Sequence, residues 1–270
     1  MLGGDVVRVE CIMSPGGDPH LYQPTPADAR LIARSDMVVR NGLKLEGWID
    51  DLLENAGGER PIITASDGVE PIKMDDEYGV DPHIWFELDA WKIATENVRD
   101  ALVDLVGPET EAATSIRERA EAYLATLDRL DQWVRDQLAT IPESRRVLIT
   151  SHDAFNYFGR AYDIDVVAIQ GISTEQEAGQ RDIANTVELV RKRNAPAVFV
   201  ETSVNPSLIE QVARETGVEV AGPLYSDSIG AADTPAGTFV GTVQENVRMI
   251  TQGLGGDYEP FDAPEGGGNE

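Results

Sequence analysis

Apolar positions along the chain follow two alternating rhythms. Short runs rich in Val and Ile read as strands at Val6–Met13, Met37–Arg40, Pro61–Ala65, Arg146–Thr150, Asp165–Ile169, Ala197–Val200 and Glu219–Ala221. Between them apolar residues return every three or four positions. That spacing predicts helices over Ala27–Arg34, Gly47–Asn55, Ala90–Val106, Ile183–Arg193, Ser207–Thr216 and Ala236–Gln252. Gly57 and Gly217 stand just past two of these, where a helix C-terminus favours glycine. Alternation of this kind predicts an α/β fold with mainly parallel sheets.

One segment breaks the alternation. From Glu109 to Ile141 the apolar positions are Ile116, Ala120, Tyr123, Leu127, Leu130, Val134, Leu138 and Ile141, with no Gly or Pro among them. Pro108 and Pro142 bound the run, which predicts one long amphipathic helix. The expected organisation is two α/β lobes, residues 1–107 and 143–255, joined rigidly by helix 108–142 rather than by a flexible linker. The Gly-, Pro- and acid-rich tail, 256–270, is expected to be disordered.

Charge narrows the partners. The chain of 270 residues carries 48 acidic against 22 basic side chains, a formal net charge of -26. Such a surface repels phosphate backbones and anionic membranes, which argues against nucleic-acid binding. The only lysines are Lys44, Lys73, Lys92 and Lys192, and strong acidity with few lysines points to adaptation to high salt. The single cysteine, Cys11, cannot form an internal disulfide. No apolar run reaches the length of a membrane span, so no direct membrane insertion is expected, and no secretion leader is visible beside Met1.

Candidate chemistry gathers on the histidines, of which there are three. His20 and His83 share a tripeptide, Asp18-Pro19-His20 and Asp81-Pro82-His83, each set in a turn-forming stretch. Proline stiffens the backbone ahead of the imidazole. The aspartate two residues back can hold the ring's second N–H, directly or through the local backbone, and so orient it for a metal. His152 follows the strand ending at Thr150, and Asp227 follows the strand beginning at Glu219. Carboxyl ends of strands are where open α/β sheets place ligands. Spacing alone does not gather these residues; only a fold could.

Several segments, taken in order, resemble the solute-binding proteins of zinc and manganese ABC transporters. Gly16-Gly17-Asp18-Pro19-His20-Leu21-Tyr22-Gln23-Pro24-Thr25-Pro26 is similar to that family's first histidine motif, and Asp81-Pro82-His83-Ile84-Trp85 to its second. The runs from Asn41 to Trp48, Ser151 to Phe158, Phe199 to Ser203 and Tyr225 to Ile229 resemble the others. The likeness extends from about Asp5 to Leu254. It implies two lobes on one backbone helix with a metal in the cleft, ligated by His20, His83, His152 and Asp227. Glu201 is implied to lie close by, supporting a ligand rather than being one, as Asp18 and Asp81 support His20 and His83.

The implied role is capture of Zn2+ or Mn2+ as cargo for an ABC permease, outside the cell membrane or in the periplasm, by a monomer without enzymatic activity. A histidine at 152 resembles zinc receptors more than manganese receptors, although Ser66–Val80 lacks the His-rich loop of many zinc members. The family's secretion leader, first strand and first helix would precede the segment matching Leu2–Asp5, so the N-terminal lobe is expected to lack that strand and helix. Two alternatives stand beside this reading: a zinc hydrolase with Glu201 as general base, and a surface adhesin of the same fold. Metal binding through histidine is expected to weaken as pH falls through about 6.5.

Overall fold

A computed structural model describes residues 2–75, 78–175 and 178–262. The N-terminal half runs through α1 (Pro26–Arg34), β1 (Val38–Arg40), α2 (Ile49–Ala56) and β2 (Ile62–Thr64) to α3 (Leu88–Val106). Thr25 caps α1, with Pro26 in the first turn and Asp28 closing the capping box. β1 and β2 pair in parallel, Val38 opposite Ile62.

α4 (Glu111–Ala139) is the long helix, about 43 Å from end to end. It turns back from α3 at Gly107, whose φ of 90° suits glycine, and starts from the Thr110 cap. The predicted stripe is the buried one: Ile116, Ala120, Leu127, Leu130 and Val134 have no exposed surface.

Beyond α4 the alternation resumes with β3 (Val147–Thr150), α5 (Asn156–Tyr162), β4 (Asp165–Ala168), α6 (Gln180–Arg193), β5 (Ala197–Glu201), α7 (Ser207–Thr216), β6 (Glu219–Leu224) and α8 (Phe239–Gly253). β3 pairs with β4 and β5 with β6, both in parallel, and β3 runs beside β5. The chain is therefore α/β with short parallel sheets, in two lobes on one helix.

The largest apolar cluster is not confined to either half. It joins Ile84, Phe86 and Leu88 of the first half through Leu127, Leu130 and Val134 of α4 to Leu148, Phe155, Tyr157, Phe199 and Val247 of the second. Smaller clusters lie between α1 and α2, around the α3–α4 turn, and under α6 and α7.

Two expectations need correction. Val6–Met13 forms no strand: Gly4–Val6 is a single 3-10 turn, and Val7 is extended but pairs with no strand among the described residues. Val9 is 78% exposed, so its apolar alternation packs against nothing that would hold a ladder. The tail is ordered as far as it is described. Trp133 donates its indole N–H to the Glu259 carbonyl, Glu259 N–H donates to Gln137, and Phe261 lies against Trp133, so residues 257–261 strap the outer face of α4. The rest of the predicted disordered tail, 263–270, lies outside the described residues.

Candidate metal centre

Each histidine arrives on a differently built support. His20 precedes α1 in the Asp18-Pro19 turn, where Asp18 Oδ1 accepts the backbone N–H of His20 at 2.8 Å. The ring is not held by that carboxylate. Its Nδ1 lies 3.2 Å from the Tyr78 hydroxyl, which donates onward to the Lys44 carbonyl. Asp18 uses its other oxygen to accept from the Thr174 hydroxyl of the second half at 2.7 Å.

His83 sits in the same tripeptide with a different outcome. Asp81 Oδ1 takes both the backbone N–H at 2.9 Å and the ring Nδ1 at 2.8 Å. Asp81 Oδ2 accepts from the Asn156 amide at the start of α5, 3.1 Å away in the other half. Asn41 fixes the Pro82 carbonyl, so the turn is held on both sides.

His152 and Asp227 come from carboxyl ends of strands. Thr150 ends β3, and the N–H groups of Ser151 and His152 donate to Glu201 Oε1 at 2.8 and 2.9 Å. The β5–β6 register shifts between Phe199 and Glu201, at the end of β5 where Glu201 stands. Glu201 Oε2 then contacts His152 Nδ1. Asp227 follows β6 in a loop tied down by Asn246 on the Tyr225 backbone and by the Trp85 indole on the Ser226 carbonyl.

With each Nδ1 occupied from behind, the Nε2 atoms point inward. His20 and His83 Nε2 are 3.4 Å apart; Asp227 Oδ1 is 3.4 Å from His83 Nε2 and Oδ2 is 3.2 Å from His152 Nε2. One donor atom from each of His20, His83, His152 and Asp227 lies within 4.8 Å of the other three. His83 and His152 have no exposed surface, and His20 is nearly as buried. His152 Nε2 and Asp227 Oδ1 are buried without a hydrogen bond of good geometry, a condition that a cation between them relieves.

The titration behaviour fits a centre that attracts positive charge. Burial lowers the His83 pKa, but hydrogen bonds to Asp227 and Asp81 outweigh it and the ring is pushed up to about 9. Burial acts likewise on His152, yet the charges of Asp227 and Glu201 hold it well above the usual histidine value. For His20 burial outweighs the charge of Asp227, and the ring is lowered to about 4. Burial raises the Asp227 pKa, and the two imidazoles beside it reverse that, holding it well below the usual range.

The structure thus brings together all four residues expected from sequence, with Asp18, Asp81 and Glu201 around them. Sequence reasoning did not find Tyr78, which has no motif of its own, or Asn156, which lay unremarked inside the Ser151–Phe158 run.

Two α/β lobes on one helix, with four donor atoms converging between them, is the architecture of a metal-binding substrate-binding protein. The chain matches the family described as zinc-uptake complex component A, periplasmic (ZnuA), over residues 1–253, and belongs to it. It is 36% identical to the manganese-binding lipoprotein MntA of Bacillus subtilis (strain 168) over 261 residues, 94% of this chain and 84% of that protein. It is 31% identical to the iron-binding protein YfeA of Yersinia pestis over 256 residues, 94% and 81% of the two. The solved structure of the periplasmic zinc-binding protein TroA from Treponema pallidum superposes with a TM-score of 0.88 at 32% identity, covering 94% of this chain and 93% of that one. These relatives are named for binding manganese, iron and zinc, and the family for a zinc-uptake complex.

Proposed function

We propose that this protein captures a divalent transition-metal ion with His20, His83, His152 and Asp227 and delivers it to the permease of an ABC importer. The observation carrying this reading is the convergence of one nitrogen from each of three imidazoles and one carboxylate oxygen within 4.8 Å, with Tyr78, Asp81 and Glu201 standing behind the rings. Three neutral imidazoles and a carboxylate form a set suited to tetrahedral zinc. Both oxygens of Asp227 face the imidazoles, so a bidentate carboxylate can serve manganese with the same residues. Zinc is the favoured cargo because it outranks manganese and ferrous iron at nitrogen-rich sites, and the relatives above are named for manganese, iron and zinc.

The protein acts outside the cytoplasmic membrane, a placement supported by relatives named as periplasmic and as a lipoprotein. Among the described residues no helix is long and apolar enough to cross a membrane. A hydrolase reading is disfavoured by the same geometry: Glu201 Oε1 accepts from two backbone N–H groups, Oε2 lies against the His152 ring, and four protein ligands leave no open coordination position. No observation on this chain favours an adhesin role.

The deciding measurement is a competition titration of metal-free protein with zinc and manganese beside the His83→Ala variant. One-to-one binding, tighter for zinc and lost in the variant, is expected. Full-strength binding by a folded His83→Ala protein would remove the site; tighter binding of manganese would reverse the choice of cargo.

A further inference from the structure

Directly beside the metal centre lies a second concavity with different chemistry. It has a volume of about 430 Å³ and is walled by both halves: Trp85 and Trp91 from the first, Ile229, Phe239 and Val243 from the second. A volume of this order, lined by aromatic and aliphatic side chains, is what small-molecule sites present.

Most of the polar atoms on its walls are already committed. The Trp85 indole donates to the Ser226 carbonyl and the Trp91 indole to Tyr123. The Tyr162 hydroxyl donates to Asp131 and the Thr242 hydroxyl to the Ala236 carbonyl. Asn246 exchanges two hydrogen bonds with the Tyr225 backbone. The one charged lining side chain is Asp227, and its oxygens face His83 and His152. An occupant therefore meets mainly apolar surface and carbon-bound hydrogen, with no basic side chain for an anion and no second carboxylate for a cation. A charged or peptide-like guest would lose its hydration without compensation.

Position ties the cavity to the lobes. The Trp85 ring lies 5.2 Å from the His83 ring and its indole spans to Ser226 of the other lobe, one residue before Asp227. Trp91 of α3 stacks on Phe239 of α8 with centroids 4.6 Å apart. A guest touching these walls binds the same lobe arrangement that brings the four donor atoms together.

We propose that this cavity binds an uncharged, largely aromatic or aliphatic small molecule, and that its occupancy and metal occupancy favour one another. The second half of the statement rests on the metal-receptor reading; the first half does not. Coupling between two sites that stabilise one arrangement is reciprocal, so metal must tighten the guest as the guest tightens metal.

The test uses N-phenyl-1-naphthylamine, a neutral fluorophore, with the full chain, metal-free and zinc-loaded, beside zinc titrations of the same samples. Saturable one-to-one fluorescence enhancement is expected, tightened about fivefold or more by zinc. Val243→Trp and the smaller Val243→Phe, which fill the cavity from α8, should weaken the probe by about tenfold or more while zinc still binds. Absence of saturable binding, or wild-type probe affinity in variants that are folded by circular dichroism and bind zinc, overturns the site. If Val243→Trp does not fold, Val243→Phe decides. Equal probe affinity with and without zinc overturns the coupling. Probe binding by a protein that takes no zinc removes the metal-receptor reading and leaves the cavity standing.

Discussion

At the scale of single residues, the metal-free centre holds protons where a cation would sit. His83 titrates at about 9 and His152 well above its ordinary value, so both carry a proton at neutral pH, whereas His20, lowered to about 4, does not. A coordinated imidazole must be neutral, so one dication replaces two imidazolium protons and the charge at the centre is conserved. Protons compete, so affinity falls as pH falls, and the window begins near 9 rather than near the 6.5 of an unperturbed histidine. Zinc titration calorimetry at pH 7.5 in buffers of different ionisation enthalpy should report release of about two protons; release of none would contradict the assignment. Glu201 provides a second check. As a carboxylate it accepts from two backbone N–H groups and faces the His152 ring. Glutamine must turn its amide toward one of those donors, so Glu201→Gln should weaken zinc about 10- to 100-fold in the same competition titration. The three histidines stood out because histidine is scarce here and two copies share a tripeptide, while Asp227 came from the family resemblance. The supports were less so. The two Asp-Pro-His turns look identical in sequence, yet Asp81 holds its ring and Asp18 only its backbone, a difference set by Tyr78 and Asn156 from distant segments.

Among the elements, α4 carries the most consequence. Its buried stripe touches both halves, and Leu130 lies fully inside the shared cluster. Leu130→Ala should cost about 2–5 kcal/mol. Because the cluster is continuous, the loss should appear as one shifted urea transition followed in parallel by fluorescence and circular dichroism. Separate transitions for the two halves would show that the lobes unfold independently. This helix was legible because a stripe of that length has one periodic solution, and Pro108 and Pro142 mark its limits. A few shorter segments were not. α5 spans seven residues and includes Gly159, where a Cβ would lie 2.7 Å from the Ile164 carbonyl oxygen, so close packing rather than helix propensity selects the residue. Val6–Met13 has strand composition, but a strand exists only with a ladder partner, which composition does not reveal. In the tail, the rarity of apolar residues hid the fact that Phe261 and the backbone at Glu259 have a partner in Trp133.

Taken whole, the molecule combines a shared core with a strongly repulsive surface. A net charge of -26 opposes compaction through self-repulsion that salt screens. The melting temperature should therefore rise between dilute and molar KCl; an unchanged value would sink the high-salt reading of the composition. The lobes are tied across the cleft by Asn156 on Asp81, Thr174 on Asp18 and the Trp85 indole on Ser226. The first of these has a temporal consequence. Asp81 grips His83 with one oxygen and the opposite lobe with the other, so parting the lobes withdraws a donor from the group that steadies the imidazole. Opening and loosening then become one event. On the proposed reading, the dwell time of a captured ion follows how long the lobes stay together, and a permease that parted them would not have to compete for the ion itself.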